Sequence, residues 1–222
     1  MLKFYKFSNL QAVSKILAEK ITVRLEAGQS VLWLLSGGSA IDVAVQTAKD
    51  LSALNLNRLM VSLVDERYGS PGHQASNWQQ LIAQGFKLTG AQLHPVLDGS
   101  SLEQTTENFN QFIKGAAINT PYKIALLGLG ADGHTAGILP HSPALDSRQI
   151  VTVYRGPDYQ RITLSPLGLQ LMDEAIVFAT GNSKAKALDD LTKNLSSNVQ
   201  PAQIIKQIPQ AAVYNDLKGE TI

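Results

Sequence analysis

Cysteine is absent from the 222 residues. Its absence removes disulfide frameworks, thiolate metal sites and cysteine nucleophiles at once, and it fits a reducing cytoplasm. An excess of one charge sign is missing too: 19 Lys and Arg stand against 18 Asp and Glu, with the basic residues scattered rather than gathered into a tract. Nucleic acid is therefore not an expected partner. No run of about 18 apolar residues occurs, and the opening MLKFYKFSNL has no apolar h-region with a small-residue cleavage site, so neither a membrane span nor a secretory leader is expected. Fixed-period repeats, low-complexity tracts and long linkers are also lacking. What remains is 44% hydrophobic content, enough to bury a full core, and one cytoplasmic domain over residues 1–222 is the expectation.

Apolar residues at Leu10, Val13, Leu17, Ile21 and Leu25 recur with helical spacing between Ser8, read as the N-cap, and Gly28, read as the stop. Residues 31–35 then form a short continuous apolar run, closed by a glycine pair and followed by helical spacing through Ile41, Val45, Ala48 and Leu51. The same grammar returns at residues 59–64, which end in an acidic cluster, at 124–127, which end in a glycine loop, and at 175–179, which lead through Gly181 into a helical 184–191. Such alternation predicts an α/β fold: a doubly wound, mainly parallel sheet with helices on both faces. Residues 151–154, 161–164 and 211–214 read as further strands at an edge. Ligands of such sheets bind outside the carboxyl ends of the strands, and four polar clusters lie at those ends.

Ser36-Gly37-Gly38-Ser39 follows a strand and opens a helix, so its amides and hydroxyls fit either a phosphate cradle or a tight turn with a serine cap. Neither a Walker loop nor GxGxxG is present. Asp65-Glu66-Arg67 offers carboxylates and a guanidinium for proton transfer or phosphate recognition, or else a surface ion pair. Asn77 suits the same cleft or a helix cap. The loop from Gly128 to His134 carries Asp132 and His134 two residues apart. A histidine with an unperturbed pKa near 6.5 is able to take a proton from water. Among the four histidines only His134 sits in a glycine loop at a strand end; His73, His94 and His141 read as surface groups. No HxH or HxxxH pair accompanies it, so no metal site is expected. Arg161 opens one strand, and Lys184 stands near a helix start, where its charge opposes the macrodipole unless an anion lies between them.

Taken together, SGGS, VDER, the downstream SN, GLGADGHTAGILP, RITL and GNSKAKAL resemble the 6-phosphogluconolactonase family in order and approximate spacing, from about residue 34 to residue 188. Residues 201–216 also look like that family's last helix and strand. The resemblance implies a Rossmann-like sheet, as in glucosamine-6-phosphate deaminases, and hydrolysis of 6-phospho-D-glucono-1,5-lactone in the pentose phosphate pathway without a cofactor. It implies that His134 is the general base on water, that Asp132 orients it, and that Asp65 holds a sugar hydroxyl or the water. Arg67, Arg161, Lys184, Ser36, Gly37, Gly38, Ser39 and Asn77 would bind substrate and its phosphate. A monomer or weak homodimer is expected.

Two alternatives stand beside this reading. Deaminases share the fold and a similar loop, but theirs continues through a ring-opening glutamate before the proline, where this chain has Leu139, and they tend to have tyrosine where Arg67 stands. Sugar-phosphate sensor domains of some repressors also resemble the fold. They carry a helix-turn-helix segment, and only 30 residues precede the first core strand here.

Overall fold

The computed structural model describes residues 2–222. Its strands are β1 (Lys3–Lys6), β2 (Val31–Leu35), β3 (Leu59–Leu63), β4 (Asp65–Arg67), β5 (Gln92–Leu93), β6 (Tyr122–Gly128), β7 (Val151–Arg155), β8 (Gln160–Leu164), β9 (Glu174–Ala179), β10 (Gln210–Asn215) and β11 (Glu220–Thr221). The helices are α1 (Leu10–Glu26), α2 (Ala40–Asp50), α3 (Asn77–Ala83), α4 (Leu102–Asn119), α5 (Pro166–Leu169) and α6 (Ala185–Leu191), with a 3-10 segment at Pro201–Gln207. None is long and apolar enough to cross a membrane.

Eight strands make one sheet in the order β11-β1-β10-β9-β6-β2-β3-β5, and every pairing in it is parallel. All residues of β2 and β9 are buried, so both faces are covered, as the unbroken apolar runs require. Helix α1 lays Val13, Leu17 and Ile21 onto the core. Its cap is Asn9 rather than Ser8: the Asn9 carboxamide accepts from the Ala12 amide at 3.0 Å. Gly28, at φ +74, ends the helix in the left-handed region as expected.

The three strands assigned to an edge divide differently. β10 lies inside the sheet, between β9 and β1, because the polar-looking segment KFYK forms a strand on its outer side. β7 and β8 leave the sheet altogether and build a separate antiparallel one with β4, in the order β4-β8-β7. Val64 is the junction: its amide still bonds the Leu35 carbonyl at 2.9 Å, while its own carbonyl accepts from the Leu164 amide at 2.9 Å.

From β2 the chain passes through α2 to β3 on one side, whereas β6 and then β9 lie on the other. The order reverses between β2 and β6, which places the loops after these two strands beside the crevice that such a switch point opens.

Candidate active site

The floor of the crevice is continuous with the sheet. One residue past β2, the Ser36 amide still donates to the Leu126 carbonyl of β6 at 2.9 Å. Gly37 then passes so close to Asn77 that a Cβ there would overlap its Oδ1, and Gly38 turns the chain at φ +65. Ser39 makes no side-chain cap bond, so the serine-cap reading of this turn fails and its hydroxyl is left for the cleft.

After β6, the loop folds back on itself: the Gly130 amide donates to the His134 carbonyl at 2.8 Å and the Gly133 amide to the Gly130 carbonyl at 3.0 Å. Asp132 Oδ1 accepts from the His134 amide at 3.1 Å and meets His134 Nδ1 at 2.6 Å. A neutral imidazole held this way carries its proton on Nδ1 and leaves the Nε2 lone pair free. Burial pushes the Asp132 carboxyl up, but the hydrogen bonds and charge of His134 outweigh it and leave the group below its ordinary value. A Cβ on Gly130 would overlap Nδ1, so the ring rests directly on bare backbone.

The chain next makes a two-residue turn. Ile138 donates to the Thr135 carbonyl at 2.8 Å, with Ala136 at φ +48 and Gly137 at φ +65 between them. Positive φ at both central positions is ordinary for glycine and uncommon for alanine. Tyr154 fastens the turn: its hydroxyl donates to the Gly137 carbonyl at 2.5 Å and accepts from the Leu139 amide at 3.3 Å. Leu139 itself is half-buried against the core and is not among the residues lining the cleft.

The remaining wall is the small sheet, whose alternation sorts Asp65-Glu66-Arg67 by face. Asp65 pairs with Thr163 and Arg67 with Arg161, so these four share one face, while Glu66 points to the other. There Glu66 accepts from the amides of Arg67, Asn77 and Trp78 and from the Ser76 hydroxyl. The second carboxylate of the cluster thus anchors α3 and is not offered to a ligand. The surface ion-pair reading also fails, because Asp65 and Glu66 are buried and neither forms an ion pair among the described residues. Burial pushes Asp65 up, against the opposing pull of Arg67, Arg161, His134 and the Asn77 amide.

Asn77 follows the true cap, Ser76, and donates Nδ2 to the Asp65 carbonyl at 3.0 Å. Lys184 reaches the cleft from the turn before α6. The result is an open cleft with an empty volume of about 550 Å³, lined by Ser36, Gly37, Gly38 and Ser39 on one side, by Gly128, Gly130, His134 and Gly137 on another, and by Asp65, Arg67, Asn77, Arg161 and Lys184. Asp132 lies behind His134 rather than in the wall. Four buried polar atoms among these residues have no partner: Ser36 Oγ, Arg67 Nε, Asn77 Oδ1 and Arg161 Nε. Such orphans are rare in folded proteins and call for an occupant. Donors outnumber acceptors, and three side chains are cationic, so the complementary ligand is an anion bearing hydroxyl groups.

The other histidines lie elsewhere. His73 Nε2 donates to the Arg67 carbonyl at 2.9 Å, and His141 is exposed. His94 departs from the surface reading: it is half-buried, its ring lies 4.3 Å from that of Phe112, and burial lowers its pKa. Among the described residues, no three His, Asp or Glu side chains gather as a metal ion would require. Ala136 and Tyr154 were not legible as site residues. Ala136 lies within GLGADGHTAGILP but its methyl signals no chemistry, Tyr154 lies outside every motif, and the positive φ of Ala136 is set by the turn.

Residues 7–214 match the family model described as glucosamine-6-phosphate isomerases/6-phosphogluconolactonase. A 6-phosphogluconolactonase of Synechocystis sp. is 30% identical over 177 residues, covering 75% of this chain and 72% of the relative. One from Haemophilus influenzae is 26% identical over 205 residues, 88% of each chain. The crystal structure of a 6-phosphogluconolactonase from Shewanella baltica OS155 superposes with a TM-score of 0.80 over 97% of both chains at 18% identity, a likeness of fold.

Proposed function

The chain belongs to the glucosamine-6-phosphate isomerase/6-phosphogluconolactonase family, and on that premise we propose that it hydrolyses 6-phospho-D-glucono-1,5-lactone to 6-phosphogluconate in the cytoplasm, as one catalytic domain. The observation that carries this reading is the Asp132–His134 pair, joined at 2.6 Å, whose imidazole lines the same cleft as Arg67, Arg161 and Lys184, none of which forms an ion pair among the described residues.

In this mechanism the 6-phosphate lies against Arg67, Arg161 and Lys184, with the Ser36, Gly37, Gly38 and Ser39 turn completing the cradle at the start of α2. Asp65 and Asn77 Oδ1 accept hydroxyl groups of the sugar. His134 Nε2 takes a proton from water as the water oxygen bonds C1. Collapse of the tetrahedral intermediate breaks the bond from C1 to the ring oxygen, and the imidazolium returns the proton to that oxygen. Asp132 keeps Nδ1–H in place and stabilises the transient positive charge. A lactone is an activated ester, so this positioned base and the phosphate handle suffice without a covalent intermediate.

The family description covers two activities, and residues choose between them. Leu139 stands where the resemblance gives deaminases a ring-opening glutamate, and a leucine packed against the core transfers no proton. Freshly generated lactone, corrected for spontaneous hydrolysis, should be consumed with release of acid. Glucosamine 6-phosphate should release no ammonia. The reverse pattern would assign the chain to the deaminases.

A further inference from the structure

One buried amide reaches the loop of His134 from behind, outside the cleft. Gln200 is 3% exposed. Its Nε2 donates to the Ala187 carbonyl in α6 at 2.7 Å, and its Oε1 accepts from Gln203 Nε2 at 2.6 Å. Both ends of the carboxamide are therefore fixed, and the aliphatic part of the side chain cannot swing aside. That part lies against Gly133: a Cβ there would be 2.6 Å from Gln200 Cγ, and Gly133 has φ +82. Two residues on, the Ala202 amide donates to the Gly133 carbonyl at 3.0 Å. Gly133 separates Asp132 from His134, so the peptide units that set their spacing are clamped between Gly130 on one side and the 200–202 segment on the other. The opposite end of Gln200 rests on α6, and Lys184 reaches the cleft from the turn just before that helix.

We infer that Gln200 is a positioning residue that holds the Asp132–His134 pair in register and ties it to α6, the helix that Lys184 precedes. It touches neither substrate nor the reacting atoms. A glutamine is suited to the task because one side chain must supply a donor, an acceptor and a methylene surface together. This role rests on the proposed action of His134 as base. A displacement on the order of 1 Å at such a base costs about 10²-fold in rate.

The test uses Gln200→Ala and Gln200→Met in the full chain, with rates taken well below the melting temperature and divided by the folded fraction. The Ala variant removes the surface against Gly133 and both hydrogen bonds. The Met variant restores the surface alone. Positioning predicts that kcat falls at least about tenfold in Gln200→Ala, that Gln200→Met recovers much of it, and that the His134 ring nitrogen signals in ¹⁵N NMR move away from those of a fixed Nδ1–H tautomer in the Ala variant. Wild-type kcat and unshifted imidazole signals in a folded Gln200→Ala, with only the melting temperature lowered, would overturn the inference. If that variant does not fold, Gln200→Asn decides, because its shorter side chain cannot reach the Ala187 carbonyl and cover Gly133 at once: wild-type kcat and imidazole signals there would be equally fatal. The NMR reading does not depend on turnover, so failure of His134 as a base, seen as an active His134→Ala, is told apart from failure of Gln200 to position it.

Discussion

Arg67 and Arg161 stand directly opposite each other in the register of β4 and β8, two guanidiniums on one face of a three-stranded sheet. Like charges in that position oppose pairing. Each Nε is buried without a partner, and Arg67 spends one Nη1 bond on the Ala75 carbonyl at 2.9 Å. The two guanidiniums thus repel each other in a way that a bound dianion would relieve.

Inorganic phosphate should therefore raise the melting temperature, and Arg161→Ala should shrink that gain. Losing a charge-assisted bond of about 1.5–3 kcal/mol predicts a KM for the phosphorylated lactone roughly 10- to 100-fold higher, with kcat less affected. Steady-state kinetics and thermal melts with and without phosphate measure both. An unchanged KM in a folded Arg161→Ala would remove this residue from the handle.

His134→Ala should lower kcat by about 10²–10⁴ and leave KM little changed, as expected for the loss of general acid–base help. A folded His134→Ala with near-wild-type kcat would refute the base assignment.

The two carboxylates of the site should act on stability in opposite senses. Asp132 is held below its ordinary value, so its contribution is present above the unfolded carboxylate pKa and is lost as pH falls through the lower, folded one. Asp65 is raised by burial; the folded chain holds that proton longer than the unfolded chain, and stability declines as pH rises from the ordinary carboxylate range upward. Asp65→Asn should accordingly melt higher than wild type at neutral pH while binding lactone less well. A lower melting temperature at pH 7 would contradict the claim that ionised Asp65 costs stability.

Gly130→Ala should damage catalysis more than folding. The added methyl overlaps His134 Nδ1, and the ring, half-exposed, is free to yield. A loss of about 10² in kcat is expected from the displaced imidazole. Urea unfolding alongside kinetics distinguishes this from a general loss of structure.

Glu66→Ala should do the opposite, because three donors at the start of α3 and the Arg67 amide in β4 lose their acceptor. Destabilisation on the order of 3 kcal/mol follows from leaving buried donors unsatisfied. KM should rise with it, since Asn77 is carried on that turn. A melting temperature equal to wild type would mean that water satisfies those amides.

Much of this was written in the local pattern. Strands with unbroken apolar runs, such as β2 and β9, announce themselves, and their glycine-bearing ends converge because a parallel sheet puts all its carboxyl ends on one side. The small sheet was hidden because β4 is only three residues long and reads as a charged cluster. Its alternation becomes visible only once β8 is paired with it, and that pairing spans nearly a hundred residues. β1 was hidden for the same kind of reason: KFYK is polar at both ends, and its pairing with β10 joins the two ends of the chain. Glu66 lies within VDER and Gln200 carries no motif, but the task of each stays hidden because it is set by neighbours distant in sequence.

The bond from the Ser36 amide to the Leu126 carbonyl extends the central sheet to the floor of the cleft. Coupled to the sheet in this way, the floor is expected to open with it. Solvent deuterium should reach the Ser36 amide only when the whole sheet opens, and heat inactivation should track global unfolding with no earlier, separate step. Substrate meets a socket already built, and thermal endurance of the fold and thermal endurance of the activity become one property.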